Sequence, residues 1–396
     1  MLTTSYPRWK DDSVGIFVDG LCKPLVENGN EVYVIAPGHP DAKKMEKLDG
    51  VNIRRINYWF TQKGQKLAYG AGIPTNIKKS FLAKIQIPLL ILAMFFRGIK
   101  YARKSNIIHV HWPIAGLVGM LFKKFFGKKY VVTVYGVEVY VGKFTFLIKS
   151  ILKNADYIIC ISDYTRSRTP IRRAENSECV ISLGIDHVRF NRTVRNESPR
   201  EKLGISDTEK IIFSIGRLIE RKGFPYLIKA MEIVCGKEPD AKLIIGGKGP
   251  EKDELVDLIH ELKLEQNVKM AGYISNELLP YYYASADVFV IPSIIDSGGD
   301  TEGLGLVTVE AMACETPVIG TNVGGITDVI DDGETGFLVE QKNPEEIAEK
   351  IISYLENPEK ARQFALAGAK KAREVFNWET YTRKTIEIYE KILKSE

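Results

Sequence analysis

The fold of this chain is decided by the stretch Glu302-Gly303-Leu304-Gly305-Leu306-Val307-Thr308-Val309-Glu310. An apolar run before it, residues 288–291, is typical of a buried parallel strand. A loop rich in Ser, Gly and Asp separates this run from an apolar, Ala-rich helix predicted over residues 306–314. A second buried strand is predicted over residues 318–320. The order strand, loop, helix, strand predicts a doubly wound α/β domain.

The first turn of this helix is suited to an anionic ligand. Its free N–H groups and the positive end of the helix dipole lie at the carboxyl edge of a parallel sheet, where ligands bind. Gly303 and Gly305 leave the backbone uncovered, so a phosphate can approach it closely. Glu302 precedes the helix, and Glu310 lies about two turns further on, near the same face. The pattern fits a nucleotide sugar, with one carboxylate at the sugar and the other at a second hydroxyl-bearing part.

The wider motif resembles that of a known family. The two glutamates around Gly-Leu-Gly-Leu, with the following Ala311-Met312-Ala313 and Thr316-Pro317-Val318-Ile319, are similar to the donor motif of retaining glycosyltransferases of family 4. The resemblance implies the GT-B fold: two doubly wound, Rossmann-like domains facing across a cleft, with the C-terminal helix crossing back to the first domain. It also implies donor contacts from Gly303, Leu304, Gly305 and Leu306. The alternative, an ordinary helix with two surface glutamates, leaves the glycine pair unexplained.

A cationic clamp, defined here as Arg217 and Lys222, is predicted after the strand of residues 210–216. Arg217 can bind two phosphate oxygens in a fork, and Lys222 acts as a point charge. The run from Gly216 to Gly223 is similar to the family's Gly-Arg-x-x-x-x-Lys-Gly. Such a clamp stabilises a departing diphosphate without a divalent metal. No Asp-x-Asp stands at a strand end, so we expect no metal and no cofactor, with a UDP-, GDP- or ADP-sugar as donor.

The resemblance implies further donor contacts. Gly247 and Lys248 begin a run similar to the family's Gly-x-Gly-Pro turn near the nucleoside. Tyr273 and Ile274 follow a predicted strand whose end resembles the one that reads the base in the family. Gly15 lies at a helix start, where a glycine-bearing loop faces the donor diphosphate in family members. Gly324-Gly325-Ile326-Thr327-Asp328 stands where the family commonly has Gly-Gly-x-x-Glu.

Two polar side chains are expected in the N-terminal half of the site. His111 ends a predicted strand and lines the cleft, whereas His109, on the same face, is expected to be structural. Tyr135 stands where many family members have the histidine of His-Gly-x-Asp, and Glu138 replaces the aspartate. Tyr135 can therefore supply only a hydroxyl near the transferred sugar. A metal at the two histidines needs a third ligand, and none has suitable spacing, so no metal site is expected.

The length of 396 residues predicts two domains of about 200 residues each. We predict an acceptor-binding domain over residues 1–195, joined by the returning helix of residues 377–396, and a donor-binding domain over residues 196–376. The first strand, predicted within residues 1–6, is shorter than expected for a central strand. Only about three apolar or Thr residues precede the loop, whereas a central parallel strand has about 4–8.

Charge is distributed unevenly along the chain. The net charge is +5, but residues 1–200 carry 32 Lys and Arg against 15 Asp and Glu, and the remainder carries 23 against 35. A basic half joined to an acidic half suggests that only the first half meets something anionic. A charged surface without a partner would give the same composition. No nucleic-acid partner is expected.

Cysteine usage and the N-terminus bear on location. The five cysteines are widely spaced and form no C-x-x-C, which is typical of inert core thiols in a reducing compartment. No signal peptide is visible at residues 1–30. A cytoplasmic location is therefore expected, at the inner face of the membrane if the N-terminal half binds anionic lipid.

Residues 59–103 combine lysines with aromatic side chains. The uncharged run of residues 85–96 has 12 residues, too few to span a bilayer. Its basic flanks fit a helix lying near anionic headgroups. A buried helix of the N-terminal domain fits the same pattern, and the two interpretations stay open.

Together these patterns predict an enzyme that transfers a hexosyl unit from a nucleoside diphosphate sugar to an acceptor hydroxyl. The family implies retention of the anomeric configuration, and a lipid-linked or cell-envelope glycan is the expected acceptor. The residues predicted to act in catalysis are Glu302, Arg217, Lys222, His111 and Tyr135. An epimerase or hydrolase on the same fold is the alternative enzyme. A sugar-binding protein should lack the clamp, and a nicotinamide-dependent dehydrogenase needs a G-x-G-x-x-G after the first strand.

Overall fold

The computed structural model of the protein describes residues 1–9, 12, 14–70, 72–136, 145–171, 177–193 and 199–395. Glu138, which replaces the family's aspartate, lies outside the described residues. The chain divides into two compact units. Unit 1 comprises Met1–Ile161, Arg166–Gly184 and Trp378–Glu396, and unit 2 comprises Ser162–Thr165 and Ile185–Asn377.

Unit 1 is built on a sheet with eight described strands. In chain order they are β1 Leu2–Thr3, β2 Tyr33–Pro37, β3 Met45–Leu48, β4 Val51–Ile56, β5 Ile107–His111, β6 Lys129–Val134, β7 Tyr157–Cys160 and β8 Glu178–Val180. Their order across the sheet is β3-β4-β2-β1-β5-β6-β7-β8. Only β3 is antiparallel to its neighbour among these described pairings. Strand β7 is buried at every position, as expected for a parallel strand covered on both faces.

Unit 2 is built on a second, wholly parallel sheet. Its described strands are β9 Lys210–Ile215, β10 Ala241–Gly246, β11 Val268–Gly272, β12 Val288–Ile291, β13 Val318–Thr321 and β14 Phe337–Val339. Their order is β11-β10-β9-β12-β13-β14. The sequence order reverses between β9 and β12, and ligands of open α/β sheets bind at the carboxyl ends of strands at such a switch point.

Helices connect the strands of both sheets. Their bounds are α1 Ile16–Glu27, α2 Ile73–Lys79, α3 Phe81–Lys104, α4 Pro113–Phe126, α5 Thr145–Asn154, α6 Asp163–Arg168, α7 Pro199–Leu203, α8 Phe224–Lys237, α9 Lys252–Glu261, α10 Leu279–Ser285, α11 Leu306–Ala313, α12 Ile326–Val329, α13 Pro344–Glu356, α14 Pro358–Val375 and α15 Trp378–Lys394. The predicted helix after residue 305 is thus α11. It lies between β12 and β13, as the sequence pattern indicates.

The last helix, α15, belongs to unit 1. Trp378 at its start lies against α1, where a Cβ on Gly20 would be 2.3 Å from Trp378 Cζ2. Only a glycine leaves room for the indole ring there, so this close approach ties the end of the chain to the first helix.

The change from unit 1 to unit 2 comes earlier than the predicted boundary after residue 195. Ile185 is already part of unit 2, and its N–H donates to Phe376 O at 3.1 Å. The Phe190 ring lies edge-on to Tyr283, with ring centroids 6.0 Å apart. These contacts come from apolar residues that precede residue 191.

Helix α3 is longer than the apolar run that predicts it, because its basic end continues the helix to Lys104. One face is buried in unit 1 and consists of Ala83, Gln86, Leu90, Met94, Gly98 and Ala102. The opposite face leaves Phe81, Ile85, Leu92 and Phe96 exposed. The buried face confirms the interpretation as a helix of the N-terminal domain, whereas contact with anionic headgroups stays a prediction. By length and composition alone, α3 is the one helix in the described part of the chain that could cross a membrane.

Candidate active site

The two halves of the clamp are placed differently by unit 2. Strand β9 ends at Ile215, and a 3-10 turn at Glu220–Lys222 precedes α8. Arg217 is exposed and has no ion pair with any residue that the structure describes. Lys222 is only 9% exposed, and its alkyl chain crosses Gly216, where a Cβ would lie 3.1 Å from Lys222 Cε. Gly216 thus provides the space through which Lys222 passes.

Lys222 forms an ion pair with Glu302. Lys222 Nζ lies 2.8 Å from Glu302 Oε1, and Arg221 Nη1 lies 3.6 Å from the same oxygen. Burial opposes ionisation of Glu302, but the charges of Lys222 and Arg221 outweigh it and lower the pKa of the carboxyl below its ordinary value. Glu302 is therefore a carboxylate at neutral pH. The sequence predicts separate ligand contacts for these residues, and the structure couples them directly.

Arg221 is a residue of this site that the sequence analysis missed. Its Nη1 donates to Thr301 O at 2.9 Å, and its Nε lies 3.8 Å from Asp300 Oδ2. It therefore holds the loop that carries Glu302. The sequence does not distinguish Arg221 from an exposed loop cation, because its partner Thr301 lies 80 residues further along the chain.

The segment before α11 is also held by the Gly324-Gly325 pair. Gly305 is the N-cap residue of α11, with a left-handed φ of 82°, and no side chain caps the helix there. Gly325 N donates to Glu302 O at 2.9 Å. A Cβ would lie 2.3 Å from Glu302 O at Gly324, and 2.1 Å from Gly303 O at Gly325. The Gly324-Gly325 pair is thus required by close backbone contact, which the sequence does not reveal beyond the family resemblance.

Further hydrogen bonds fix the same segment from α6. Ser162 Oγ donates to Gly303 O at 2.6 Å. Tyr164 N donates to Asp328 Oδ2 at 3.1 Å, which gives the shorter acid at this position a structural partner. Leu304 is buried and Leu306 is half-buried, so their side chains anchor the first turn of α11.

Glu310 lies further along α11. Tyr283, which is fully buried, donates its hydroxyl to Glu310 Oε2 at 2.9 Å. Burial raises the pKa of Glu310 to about 7, although the Tyr283 hydrogen bond and the charge of Arg189 act in the opposite direction. Arg189 Nη2 is buried and has no hydrogen-bond partner among the described residues. Glu310 can therefore change its charge near neutral pH.

Several buried polar atoms around this segment lack a partner within the described protein. They are Asp300 Oδ1, Thr301 Oγ1 and Thr308 Oγ1. Buried polar groups of native proteins are nearly always hydrogen-bonded. Their concentration at the carboxyl end of β12 and in the first turn of α11 suits a pocket that takes a polar ligand.

The turn after β10 packs backbone to backbone against the strand end that carries Arg217. A Cβ on Gly247 would lie 1.8 Å from Gly216 O, and Leu218 N donates to Lys248 O at 3.1 Å. Lys248 Nζ lies 5.5 Å from the centroid of the Tyr273 ring, and Tyr273 is 62% exposed. Ile274 is buried and supports this edge. An exposed ring beside a lysine offers a surface on which a nucleobase can stack.

The remaining predicted residues lie in unit 1. Gly15 begins α1 at φ 74°, and a Cβ there would be 2.6 Å from Ser5 O. His111, at the end of β5, is fully buried, and its Nδ1 lies 2.7 Å from the Tyr135 hydroxyl. His109 stacks on His111, with ring centroids 4.4 Å apart.

The two histidines are neutral at physiological pH. Burial lowers the pKa of His109 to about 3 and holds that of His111 well below its usual range. His109 contacts the Tyr389 hydroxyl at 2.5 Å and Thr133 Oγ1 at 2.7 Å, which makes it a structural residue. His111 Nε2 is buried without a described hydrogen-bond partner. His111 is therefore placed to orient the Tyr135 hydroxyl, and within the described residues no group of three potential metal ligands occurs.

Comparisons with known proteins cover both units. Residues 14–189 match the model of Glycosyltransferase Family 4, and residues 195–371 match that of Glycosyl transferases group 1. The chain is 29% identical to an uncharacterized glycosyltransferase of Methanocaldococcus jannaschii, over 98% of this chain and 97% of that protein.

Solved structures show the same architecture. Sucrose-phosphate synthase from Thermosynechococcus elongatus is 25% identical, with a TM-score of 0.81 over 100% of this chain and 99% of the other. Anabaena HepE in complex with UDP-glucose is 20% identical, with a TM-score of 0.74 over 98% of both chains. Together with the family models and the two Rossmann-like sheets, these matches show that the chain is a glycosyltransferase of family 4 with the GT-B fold.

Proposed function

We propose that the enzyme transfers a hexosyl unit from a nucleoside diphosphate sugar to an acceptor hydroxyl, with retention at the anomeric carbon. The observation that carries this proposal is the buried ion pair of Lys222 and Glu302 beside the exposed Arg217 and the glycine-lined start of α11. This arrangement offers positive charge and free N–H groups to a diphosphate and a carboxylate to the sugar.

The leaving group is stabilised electrostatically in this proposal. As the bond from the anomeric carbon to the phosphate oxygen breaks, charge grows on the diphosphate. Arg217, Lys222 and the amides of residues 304–306 are the groups that would receive it. These cations and amides supply the charge that a divalent ion supplies elsewhere, so we propose that the reaction needs no metal.

The acceptor reacts on the same face of the sugar. Its oxygen bonds to the anomeric carbon as its proton passes to the departing phosphate oxygen, which keeps the step balanced in charge. Glu302 would hold sugar hydroxyls near the developing oxocarbenium ion, and Glu310 would accept hydrogen bonds from the ribose hydroxyls. Tyr135, oriented by His111, would donate its hydroxyl to the transferred sugar.

The acceptor is proposed to be a lipid-linked or cell-envelope glycan reached at an anionic membrane surface. Helix α3 contains no acidic residue, and Lys84, Arg97 and Lys100 are exposed on it. The exposed Phe81 and Phe96 provide apolar side chains for the headgroup region. Basic residues beside an apolar face are attracted to anionic lipid, so we propose a cytoplasmic enzyme that binds the membrane peripherally.

Product analysis tests the proposal. Donors carrying each base are first screened by thermal shift, and the stabilising donor is then incubated with and without acceptor glycolipids in EDTA. NMR of the product should show the donor's anomeric configuration. Conversion of donor at an equal rate without acceptor would instead indicate the epimerase or hydrolase.

A further inference from the structure

A second pocket lies in unit 1, away from the residues assigned above. It has a volume of about 310 Å³, and its lining includes Gly38, His39, Lys63, Lys66, Tyr69 and Asn76. The lining comes from the segments that follow β2 and β4. In the sheet order, β1 separates β2 from β5, so the pocket opens at the same carboxyl edge that carries His111. Ligands of open α/β sheets bind at this edge.

The segment that forms one wall is fixed by hydrogen bonds to its backbone. Gln86, fully buried on α3, accepts from Lys66 N at 2.8 Å and donates to Gly64 O at 2.7 Å. Asn76 Nδ2 donates to Tyr69 O at 2.9 Å. Tyr69 has φ 67°, which is rare for a bulky residue, and its hydroxyl donates to Pro37 O at 3.0 Å. The wall is therefore ordered before any ligand binds.

Two lining residues, His39 and Tyr69, are in turn contacted by Arg8. Arg8 forms a bidentate ion pair with Asp12, with contacts of 2.7 and 3.0 Å. Its guanidinium lies 4.2 Å from the centroid of Trp9 and 5.3 Å from that of Tyr69. Arg8 Nη1 lies 3.4 Å from His39 Nε2. The charge of Arg8 is thus already neutralised, and its role is to hold the aromatic side chains.

Lys63 and Lys66 differ from Arg8. Both are exposed at the pocket, and neither has an ion pair or hydrogen bond from its ammonium group to any residue that the structure describes. The described lining contains no acidic side chain. The two ammonium groups on one fixed segment therefore bring positive charge to the pocket, and an acidic group, Asp41 Oδ2, lies 3.6 Å from His39 Nδ1 at its edge. Positive charge of this kind suits a phosphate monoester, which carries about −1.5 to −2.

We propose that this pocket binds a phosphate monoester group of the acceptor substrate. The inference rests on the proposed function, because it assigns a chemical class to the molecule that receives the sugar. The phosphate would contact Lys63 and Lys66, while Tyr69 and His39 would face the carbon skeleton that carries it. A volume of about 310 Å³ suits a small phosphorylated molecule or the headgroup of a lipid, so of a lipid-linked glycan acceptor only the phosphate-bearing end would enter the pocket.

Direct binding separates this inference from the transferase proposal. Binding of glycerol 3-phosphate to the full chain is measured by calorimetric titration. Binding to phosphatidylcholine vesicles that contain phosphatidic acid is measured by co-sedimentation. The test variant is Lys63→Gln/Lys66→Gln. The matched control is Lys149→Gln/Lys153→Gln, which removes the same charge from exposed lysines on α5. UDP and GDP binding are measured on all three proteins.

We expect the test variant to bind at least one phosphate probe about tenfold more weakly, and the control to stay within about twofold of the wild type. A loss with glycerol 3-phosphate shows that the pocket binds a soluble phosphate monoester, which would favour a soluble acceptor over the lipid-linked one proposed above. A loss confined to the vesicles shows that it binds a lipid headgroup. Unchanged affinity in the test variant, an equal loss in the control, or no binding of either probe by the wild type overturns the pocket assignment. Absent nucleotide binding overturns the proposed function and leaves the phosphate result intact.

Discussion

Removing the charge of Lys222 should lower the stability of unit 2 as well as the rate of transfer. The Lys222 and Glu302 side chains are 11% and 10% exposed, and their charged atoms lie 2.8 Å apart. At an effective dielectric constant of about 20, this distance corresponds to a gross attraction of about 6 kcal/mol, much of which offsets the cost of burying both ions. Lys222→Met leaves the carboxylate buried with only the more distant Arg221, so we expect a loss of about 3–5 kcal/mol in stability.

A double variant separates the structural effect from the chemical one. Lys222→Met/Glu302→Gln removes both charges, so most of the lost stability should return. Transfer should remain depressed, because the clamp lysine is still absent. We expect a fall of about 10²–10³-fold in turnover for both variants.

The four tryptophans make the stability assay specific. Trp9, Trp59, Trp112 and Trp378 all belong to unit 1, so tryptophan fluorescence during urea unfolding reports on that unit and serves as an internal control. Hydrogen exchange of peptides from residues 288–314 reports on unit 2. The reasoning would be refuted if peptides from residues 288–314 exchanged at the wild-type rate in Lys222→Met. It would also be refuted if the double variant were less stable than Lys222→Met.

Three further predictions concern other parts of the chain. The pKa of Glu310 is raised to about 7, so its carboxylate forms as the pH rises through that value. The donor KM should therefore fall over pH 6–8 in the wild type and stay constant in Glu310→Gln. The same pH profile in the variant as in the wild type would contradict this prediction. Gly325→Ala would place a Cβ 2.1 Å from Gly303 O, so it should lower donor affinity measured calorimetrically by at least about tenfold. Gly236→Ala, where a Cβ would have nothing within 4 Å and φ is not positive, should leave that affinity unchanged. Phe96→Glu should weaken binding to anionic vesicles in co-sedimentation, whereas Leu366→Glu in unit 2 should not, and equal binding by all proteins would count against α3 as the membrane contact.

Acidification should break the Lys222–Glu302 ion pair, because it protonates the Glu302 carboxylate. The folded-state pKa lies below the ordinary glutamate value, so the contribution of this carboxylate is complete above that value and is lost as pH falls through the folded pKa. The protection of residues 288–314 against exchange, corrected for the intrinsic pH dependence of amide exchange, should therefore fall in the wild type as pH drops below the ordinary glutamate value. Glu302→Gln should lack this acid-dependent step.

The family and the fold class could be predicted because both follow from sequence patterns within short segments. The β12–α11–β13 unit follows from apolar runs interrupted by a glycine-rich loop, and the similarity to family 4 follows from the two glutamates around it. Both predictions are confirmed. The roles of the individual site residues stay predictions, although the structure brings Gly216, Lys222 and Glu302 into direct contact.

The contacts that hold the site together could not be predicted from the sequence, because they join segments that are far apart along the chain. Arg221 binds the loop of Thr301, which is 80 residues away in sequence. Ser162 binds Gly303 across 141 residues. The packing partner of Gly325 and the mixed character of α3 likewise depend on which backbone lies opposite. A single sequence without aligned relatives contains no signal for such pairings.

The central claim is that unit 2 holds the donor diphosphate between Arg217, Lys222 and the first-turn amides of α11, without a metal. A crystal structure of the protein with GDP or UDP, grown both in EDTA and in magnesium, tests it most directly. We expect β-phosphate oxygens within about 2.7–3.2 Å of the Arg217 guanidinium, Lys222 Nζ and the Leu306 amide under both conditions. A diphosphate bound elsewhere, or one held through magnesium, would contradict it.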